Sequence, residues 1–280
     1  MYARQLIKPV EATALSEYQA AEWIHKHAPD RRVYATGATM VILNTIADNP
    51  QVLGCCEQSL LLPLTQIIEY TIGSDENAGD RAIDISIAWL KAFGAALIVV
   101  PGADSTDPYR AYYRHPLKFE GRLRVLWRNA GNVIYEVPQR SNALAHLVRE
   151  SELATRVPVH GLDIAPMEAY IQGIESPDRP QLTATWKDTR TLRVTGNWPA
   201  GFVVSLQMPY HAGWLATVNG RPAQIAKDAL GFAVLRSSAP GEVDIRLTFD
   251  HWRELQWCRL VSWAVFLALA ALAVAQSLRG

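Results

Sequence analysis

The amino-acid sequence predicts an α+β protein with an N-terminal α/β subdomain, then a small antiparallel β-sandwich, then one C-terminal transmembrane helix. Helical patterns alternate with short apolar strands over residues 1–150. Strand-like runs separated by turn residues recur over 181–256, which is typical of a sandwich. A largely uncharged segment follows at 257–280, and a linker with one helix, 151–180, joins the first two parts.

The composition narrows the class of protein. The chain has 280 residues, with 27 basic and 27 acidic side chains, and 49% of its residues are hydrophobic but only 19% charged. A charged share below the usual level of about 25% indicates that part of the surface is covered by a membrane or a partner. Zero net charge argues against nucleic acid as a partner, since phosphate backbones require a basic face. The apolar content excludes a disordered chain.

The N-terminal 150 residues carry the patterns of a mixed α/β layer. Ser16 and Gln19 form a capping-box pattern ahead of apolar residues at helical spacing. Gly94 is placed to end another helix, because glycine accepts the left-handed conformation found there. The predicted helices cover 20–27, 60–68 and 83–90, and the predicted strands cover 32–36, 96–100, 123–127 and 133–137, the last two as a hairpin. We expect only a small parallel component.

The pattern of the second half predicts a series of short strands. One helix is predicted at 165–174, inside the linker. The predicted strands cover 181–186, 191–195, 202–208, 214–218, 232–235 and 243–249. Asn219 and Gly220 predict a type I′ hairpin turn, because both residue types accept positive φ.

The end of the sequence predicts a membrane span. No charged residue occurs from Leu260 to Leu278, which at about 1.5 Å per residue corresponds to roughly 28 Å, close to the bilayer core. Tryptophans cluster at the start of this run, as in an interfacial aromatic belt. They are Trp252, Trp257 and Trp263.

The topology of this span stays open at the level of sequence. The N-terminus lacks the apolar run of a signal peptide. As a complete protein, the chain would be tail-anchored with its globular part in the cytoplasm; as the C-terminal part of a longer polytopic protein, that part would lie outside. Arg259 and Arg279 flank the run at both ends, so charge does not decide.

Three segments carry a family resemblance: residues 209–222, 231–234 and 240–247. Together they resemble the C-terminal extracytoplasmic region of YfhO-type bacterial membrane proteins, large polytopic proteins similar to GT-C glycosyltransferases that use lipid-linked sugars. In that family a tyrosine, a Pro-Gly-Trp-like turn and a Val-Asp/Asn-Gly-Arg/Lys hairpin precede a strand that ends before a transmembrane helix. Here the turn has Ala212 before Gly213, in place of the proline.

The N-terminal half is also similar to this family and to bacterial membrane proteins labelled 6-pyruvoyl-tetrahydropterin-synthase-related. The similar segments are 21–25, 31–34, 90–94, 97–100 and 133–136. The resemblance implies a GT-C-like architecture whose catalytic acid lies among N-terminal membrane helices. Because this chain has one candidate span, the resemblance implies a non-catalytic module at the bacterial inner membrane. Its globular part would be extracytoplasmic, and no catalytic residue is assigned.

Aromatic side chains on or beside the sandwich strands are the candidate binding residues, since aromatic faces stack on sugar rings. The candidate carbohydrate or lipid-head site comprises Trp186, Tyr210, His211 and Trp214, with Arg221 beside the hairpin as a cation for a lipid phosphate or simply an exposed charge. The alternative is that these rings pack in the sandwich core or brace it on the membrane. The predicted partners are the membrane, a glycan or polyprenyl-phosphate sugar, and an upstream transmembrane portion or partner protein.

The sequence predicts no metal site and no cofactor. His25 and His27 are two residues apart, so on a helix they point in different directions and cannot share a metal; we expect one in the core and one in solvent. Cys55, Cys56 and Cys258 lack a C-x-x-C spacing and are interpreted as small buried hydrophobes.

Two further patterns have simple interpretations. Gly37 stands without the other glycines of a nucleotide-binding loop, and the acidic group within 75–84 is interpreted as helix caps and a solvated face. A second function class is therefore kept: a single-span, membrane-anchored carbohydrate- or protein-binding module with no enzymatic role. A soluble enzyme has the least support, because no nucleophile, metal set or phosphate loop stands out.

Overall fold

The computed structural model describes residues 11–54, 62–236, 240–250 and 252–277. The start of the predicted helix at 60–61, Cys55, Cys56 and residues 278–280 lie outside these ranges. Mixed helices and antiparallel sheets confirm the α+β class.

Six α-helices and thirteen strands occur in the described residues, besides short 3₁₀ turns. The helices are α1 (Ser16–His27), α2 (Gly37–Ile46), α3 (Leu64–Ser74), α4 (Ala82–Ala92), α5 (Ala165–Glu175) and α6 (Trp252–Ser277). The strands are β1 (Val33–Tyr34), β2 (Leu97–Pro101), β3 (Arg124–Arg128), β4 (Asn132–Glu136), β5 (Ala145–Val148), β6 (Thr183–Asp188), β7 (Thr191–Trp198), β8 (Val203–Pro209), β9 (Trp214–Val218), β10 (Arg221–Ala223), β11 (Ile225–Lys227), β12 (Phe232–Leu235) and β13 (Gly241–Phe249).

The N-terminal sheet is mixed, in the order β1-β2-β4-β3. Only β1 and β2 pair in parallel among these strands, and β3 and β4 form the predicted hairpin.

Two helix starts differ from the prediction. The predicted capping box of Ser16 and Gln19 was wrong: Leu15 is the N-cap, and the Ser16 hydroxyl donates to the neighbouring Glu17 carboxylate at 2.8 Å. Helix α2 was not predicted, because its apolar stretch lacks a polar face; Gly37 begins it at φ 61°.

Two antiparallel sheets follow. One has the order β10-β9-β13-β7-β6, and the other has the order β11-β12-β8-β5. Strand β5 comes from within the predicted 1–150 subdomain, yet it pairs with β8, so the four-stranded sheet begins upstream of 181–256. Asn219 and Gly220 have φ of 51° and 78° and form the predicted two-residue turn between β9 and β10.

The four-stranded sheet is buried on both faces. Along β8, Val204 and Leu206 face the five-stranded sheet and join Leu247 in the sandwich core. The opposite face packs on α4 and α5: the Phe232 ring of β12 lies 4.9 Å from Phe93 between ring centroids. This sheet therefore belongs to the sandwich and to the N-terminal helical layer at once, and apolar burial on both faces stabilises the junction.

A buried polar network crosses the same junction. The Arg32 guanidinium is 8% exposed, and its Nη1 donates to the carbonyls of Phe93, at 3.0 Å, and Gln207, while Nε donates to Gln51 O at 3.3 Å. Loss of hydration lowers the pKa of Arg32 to about 10. The cation thus lies at the C-terminal end of α4, where the helix dipole favours positive charge.

Gln207 completes this network from β8. Its Nε2 donates to Lys91 O and Ala92 O, at 2.9 and 3.0 Å, and its Oε1 lies 2.9 Å from His146 Nε2. Gly94, at φ 65°, ends α4 as predicted, and a Cβ there would lie 2.4 Å from Gln207 Oε1. Glycine is required at this position by both the backbone conformation and the space available.

Helix α6 begins at Trp252, three residues after the last residue of β13. Among the described residues, no helix is both long and apolar enough to cross a membrane, so the transmembrane character predicted for 257–280 is not found there. Cys258 is exposed on α6, so its interpretation as a buried hydrophobe was wrong.

Candidate functional site

Four rings meet at one end of the sandwich, where β13 leads into α6. The ring centroids of Trp214 and Phe249 are 5.0 Å apart, those of Trp186 and Trp214 are 6.2 Å apart, and those of His211 and Phe249 are 5.1 Å apart. We call these four residues the aromatic cluster. The Trp186 side chain is 39% exposed, so the cluster has a face open to solvent.

Strand alternation places these rings. Phe249 continues the inward-facing series of Val243, Ile245 and Leu247 along β13, and it is the register partner of Trp214 on β9. Both therefore lie beyond the last layer of the sandwich core. The sequence predicted Trp186, His211 and Trp214 but missed Phe249, although the same alternation could have identified it.

The turn before β9 is hydrogen-bonded to Asp250, the residue that follows β13. Gly213 O accepts a hydrogen bond from Asp250 N at 2.7 Å, and Trp214 N donates to His211 O at 3.1 Å. Within the turn, Gly213 N donates to His211 Nδ1 at 3.0 Å. A Cβ on Gly213 would lie 3.1 Å from Asp250 O and from the Phe249 ring, so glycine allows this close approach. The turn and the end of β13 therefore form one local structure.

The other two predicted site residues, Tyr210 and Arg221, are not members of the four-ring cluster. Tyr210 follows β8, is partly buried against the sandwich core, and donates its N–H to Gly231 O at 2.8 Å. Arg221 pairs with Val218 at the far end of β9 from Trp214, about 14 Å away at roughly 3.4 Å per residue. The structure thus unites three of the five predicted residues and leaves Arg221 outside the cluster.

The acidic group within 75–84 is not a shared carboxylate site. Asp75 is buried and paired with Lys118, and loss of hydration is the largest influence on that lysine, lowering its pKa. Asp84 pairs with Arg122 at the surface. The predicted solvated face is therefore correct for Asp84 but wrong for Asp75. Nowhere in the described ranges do three or more His, Cys, Asp or Glu side chains converge so as to hold a metal ion.

The two helix α1 histidines are both exposed, which corrects the expectation that one faces the core. His27 stacks on Trp23 with centroids 4.8 Å apart, and its Nδ1 lies 2.9 Å from Trp23 O. His25 lies elsewhere on the helix surface, as the two-residue spacing requires.

A second concave surface lies between α3 and the 157–162 loop. It is an open groove of about 680 Å³, with Tyr70 and Val159 as exposed apolar walls. The loop is held by Trp89, whose Nε1 donates to Gly161 O at 2.7 Å. In the sequence, the residues that line the groove lie farther from α6 than the residues of the aromatic cluster do. None of the predicted site residues lines the groove.

Comparison with known proteins assigns no family to this arrangement. No family model matches the chain, and no match was found among the curated proteins or among the solved structures.

Proposed function

We propose that this chain is a non-catalytic extracytoplasmic module of a YfhO-like, GT-C-like bacterial membrane protein, held at the inner membrane by α6. The aromatic cluster would bind a glycan or the sugar of a polyprenyl-phosphate carrier, and an upstream membrane portion or partner protein would carry the chemistry. The observation that carries the proposal is the hydrogen bond from Asp250 N to Gly213 O, which holds the Gly213–Trp214 turn to the end of β13, two residues before α6 begins.

The surface of α6 supports attachment to a membrane. Every described side chain from 255 to 271 is exposed, on all faces of the helix. Trp257, Trp263 and Phe266 are 70%, 63% and 60% exposed. A continuous exposed apolar surface marks contact with a membrane or with another protein. The cluster adjoins the start of this helix, which would place it near lipid head groups.

The cluster itself supports sugar binding better than catalysis. Its rings offer flat apolar faces, and that of Trp186 lies on the edge strand β6. Tryptophan combines a large contact area with little conformational freedom to lose on binding, so it is common at binding hot spots.

The first experiment measures glycan binding by the full chain in neutral detergent, using an array of bacterial envelope glycans. Trp186→Ala is the main variant, because this exposed ring can be removed with little effect on folding. We expect a loss of affinity of at least about tenfold. Trp127→Ala, at a partly buried ring on β3, is the matched control. Absence of any glycan ligand, or equal effects of the two substitutions, would contradict the proposed site.

The alternative is a membrane-anchored carbohydrate- or protein-binding module with no enzymatic role. It shares the exposed helix and the cluster, and differs only in whether a membrane portion precedes it. An immunoblot of source-cell membranes, with an antibody against the sandwich, separates the two. A native band much heavier than that of a 280-residue chain supports the polytopic parent, and a band of that size supports the alternative.

A further inference from the structure

The outer face of the five-stranded sheet carries a basic hollow, on the side opposite the sandwich core. The hollow has a volume of about 540 Å³ and crosses four strands. Its walls are Lys187, Arg193, Thr217, Gly220, Asp244 and Arg246. It includes none of the aromatic-cluster residues, so it is a separate surface.

Strand register brings two arginines face to face there. Arg193 on β7 and Arg246 on β13 are direct cross-strand partners. Thr217 on β9 is the next partner across from Arg246. Like charges directly opposite each other in a sheet destabilise it. The arrangement therefore needs a negative group between the strands.

One carboxylate meets part of that need. Asp244 accepts from Arg193 through both of its oxygens, at 2.8 and 2.9 Å. The hydrogen bonds from Arg193, and then the charges of Arg193, Arg246 and Lys187, hold the pKa of Asp244 below its usual range. Asp188, at the end of β6, instead accepts from its own turn, at Arg190 N, 2.7 Å away. Three cations thus share a single carboxylate in the hollow.

Two of the cations interact with Asp244 through charge but not through a hydrogen bond. Within the described part of the chain, the side chains of Lys187 and Arg246 make no hydrogen bond or ion pair with a protein group. Lys187 is the extra residue of a β-bulge between Trp186 and Asp188, and bulges re-aim side chains next to sites. Gly220 leaves the rim open, since a Cβ there would meet nothing within 4 Å.

We propose that this hollow binds a phosphate group. Arg246 and Lys187 would contact its oxygens, with the Thr217 hydroxyl as a third donor. Arg193 stays fixed by Asp244 and forms the positive wall. Charge-assisted hydrogen bonds from a guanidinium and an ammonium suit phosphate oxygens, and arginine can contact two of them at once. The phosphate belongs either to a lipid head group or to a soluble phosphate, and the site does not depend on sugar binding at the aromatic cluster.

Calorimetric titration of the full chain in neutral detergent tests this. The probes are dihexanoyl phosphatidate and inorganic phosphate. Arg246→Gln should weaken binding by at least about tenfold, and Lys187→Gln provides the same test if the arginine variant fails to fold. Asp244→Asn should strengthen binding severalfold, because it removes the competing carboxylate. Arg122→Gln, at an exposed arginine on another surface, changes the net charge equally and should have little effect.

The outcomes separate the sources of phosphate. Binding of both probes supports a site for soluble phosphate, and binding of phosphatidate alone supports a lipid head group. The proposal is overturned if neither probe binds at millimolar concentration, or if Arg122→Gln weakens binding as much as Arg246→Gln. Weaker binding in Asp244→Asn would also overturn it.

Discussion

His146 makes the stability of this protein sensitive to acid. Its ring lies on β5, is 8% exposed, and contacts Gln207 Oε1. Because Gln207 Nε2 already donates to Lys91 O and Ala92 O, the His146 Nε2–H is the donor in this contact. Loss of hydration lowers the pKa of His146 from 6.5 to about 4, and the ring is neutral in the folded protein.

Acid destabilises the folded protein because the unfolded chain binds a proton at His146 more readily. Between about pH 6.5 and about pH 4 the unfolded chain binds a proton at this histidine and the folded chain does not. The contribution of His146 is therefore full above pH 6.5 and is lost as the pH falls through 4, with about 2 kcal/mol gone by about pH 5.

Asp228 acts in the opposite direction. Loss of hydration raises the pKa of its carboxyl from 3.8 to about 6, in the turn between β11 and β12. The folded chain then binds the extra proton, so stability is lost as the pH rises from 3.8 through 6. Lowering the pH to about 5 regains about 1 kcal/mol from this group.

The two groups are separated by measuring unfolding in urea by tryptophan fluorescence, near pH 7.5 and near pH 5, in neutral detergent. His146→Gln keeps an amide donor for Gln207, and we expect it to lose about 2 kcal/mol less than the unsubstituted chain on acidification. Asp228→Asn should lose about 1 kcal/mol more. The same pH dependence in His146→Gln and the unsubstituted chain would refute the reasoning.

Two further substitutions probe the junction between the sheets and α4. Gly94→Ala places a Cβ against Gln207 Oε1 in a left-handed backbone, and should lower the free energy of unfolding by more than about 2 kcal/mol. Gly121→Ala is the control, because Gly121 also has positive φ but has open space around it. This control should lower the free energy of unfolding by less. Arg32→Met removes the donor to the Phe93 and Gln207 carbonyls, and should cost about 2–4 kcal/mol in the same urea titration. A neutral result for Arg32→Met would show that these carbonyls are satisfied without the guanidinium.

The elements that the sequence predicted are those with local signals. The strands from β6 to β9 carry alternation and turn residues, and Asn219 with Gly220 specifies a turn that needs no distant partner. Helix α2 was missed because it is apolar without a clear period. The pairing of β5 with β8 was missed because register between strands more than fifty residues apart leaves no local trace.

The candidate site shows the same division. Trp186 and Trp214 were predicted by residue type, yet their contact arises only when β6 and β9 meet at the end of the sandwich. Arg221 was predicted from its charge as a contact for a lipid phosphate, and it lies at the other end of the hairpin from Trp214. The basic hollow was not predicted, since Arg193 and Arg246 become neighbours only through the register of β7 and β13.

Strand β8 has no side that is free to vary. Even-numbered positions such as Val204 and Leu206 must fit the sandwich, and odd-numbered ones such as Ser205 and Gln207 must fit the helices. A substitution on one face of β8 therefore alters contacts with the sandwich core, and one on the other face alters contacts with the helices. The sandwich and the helical layer are therefore coupled through β8. Replacing either layer with that of another protein would require a redesign of this strand.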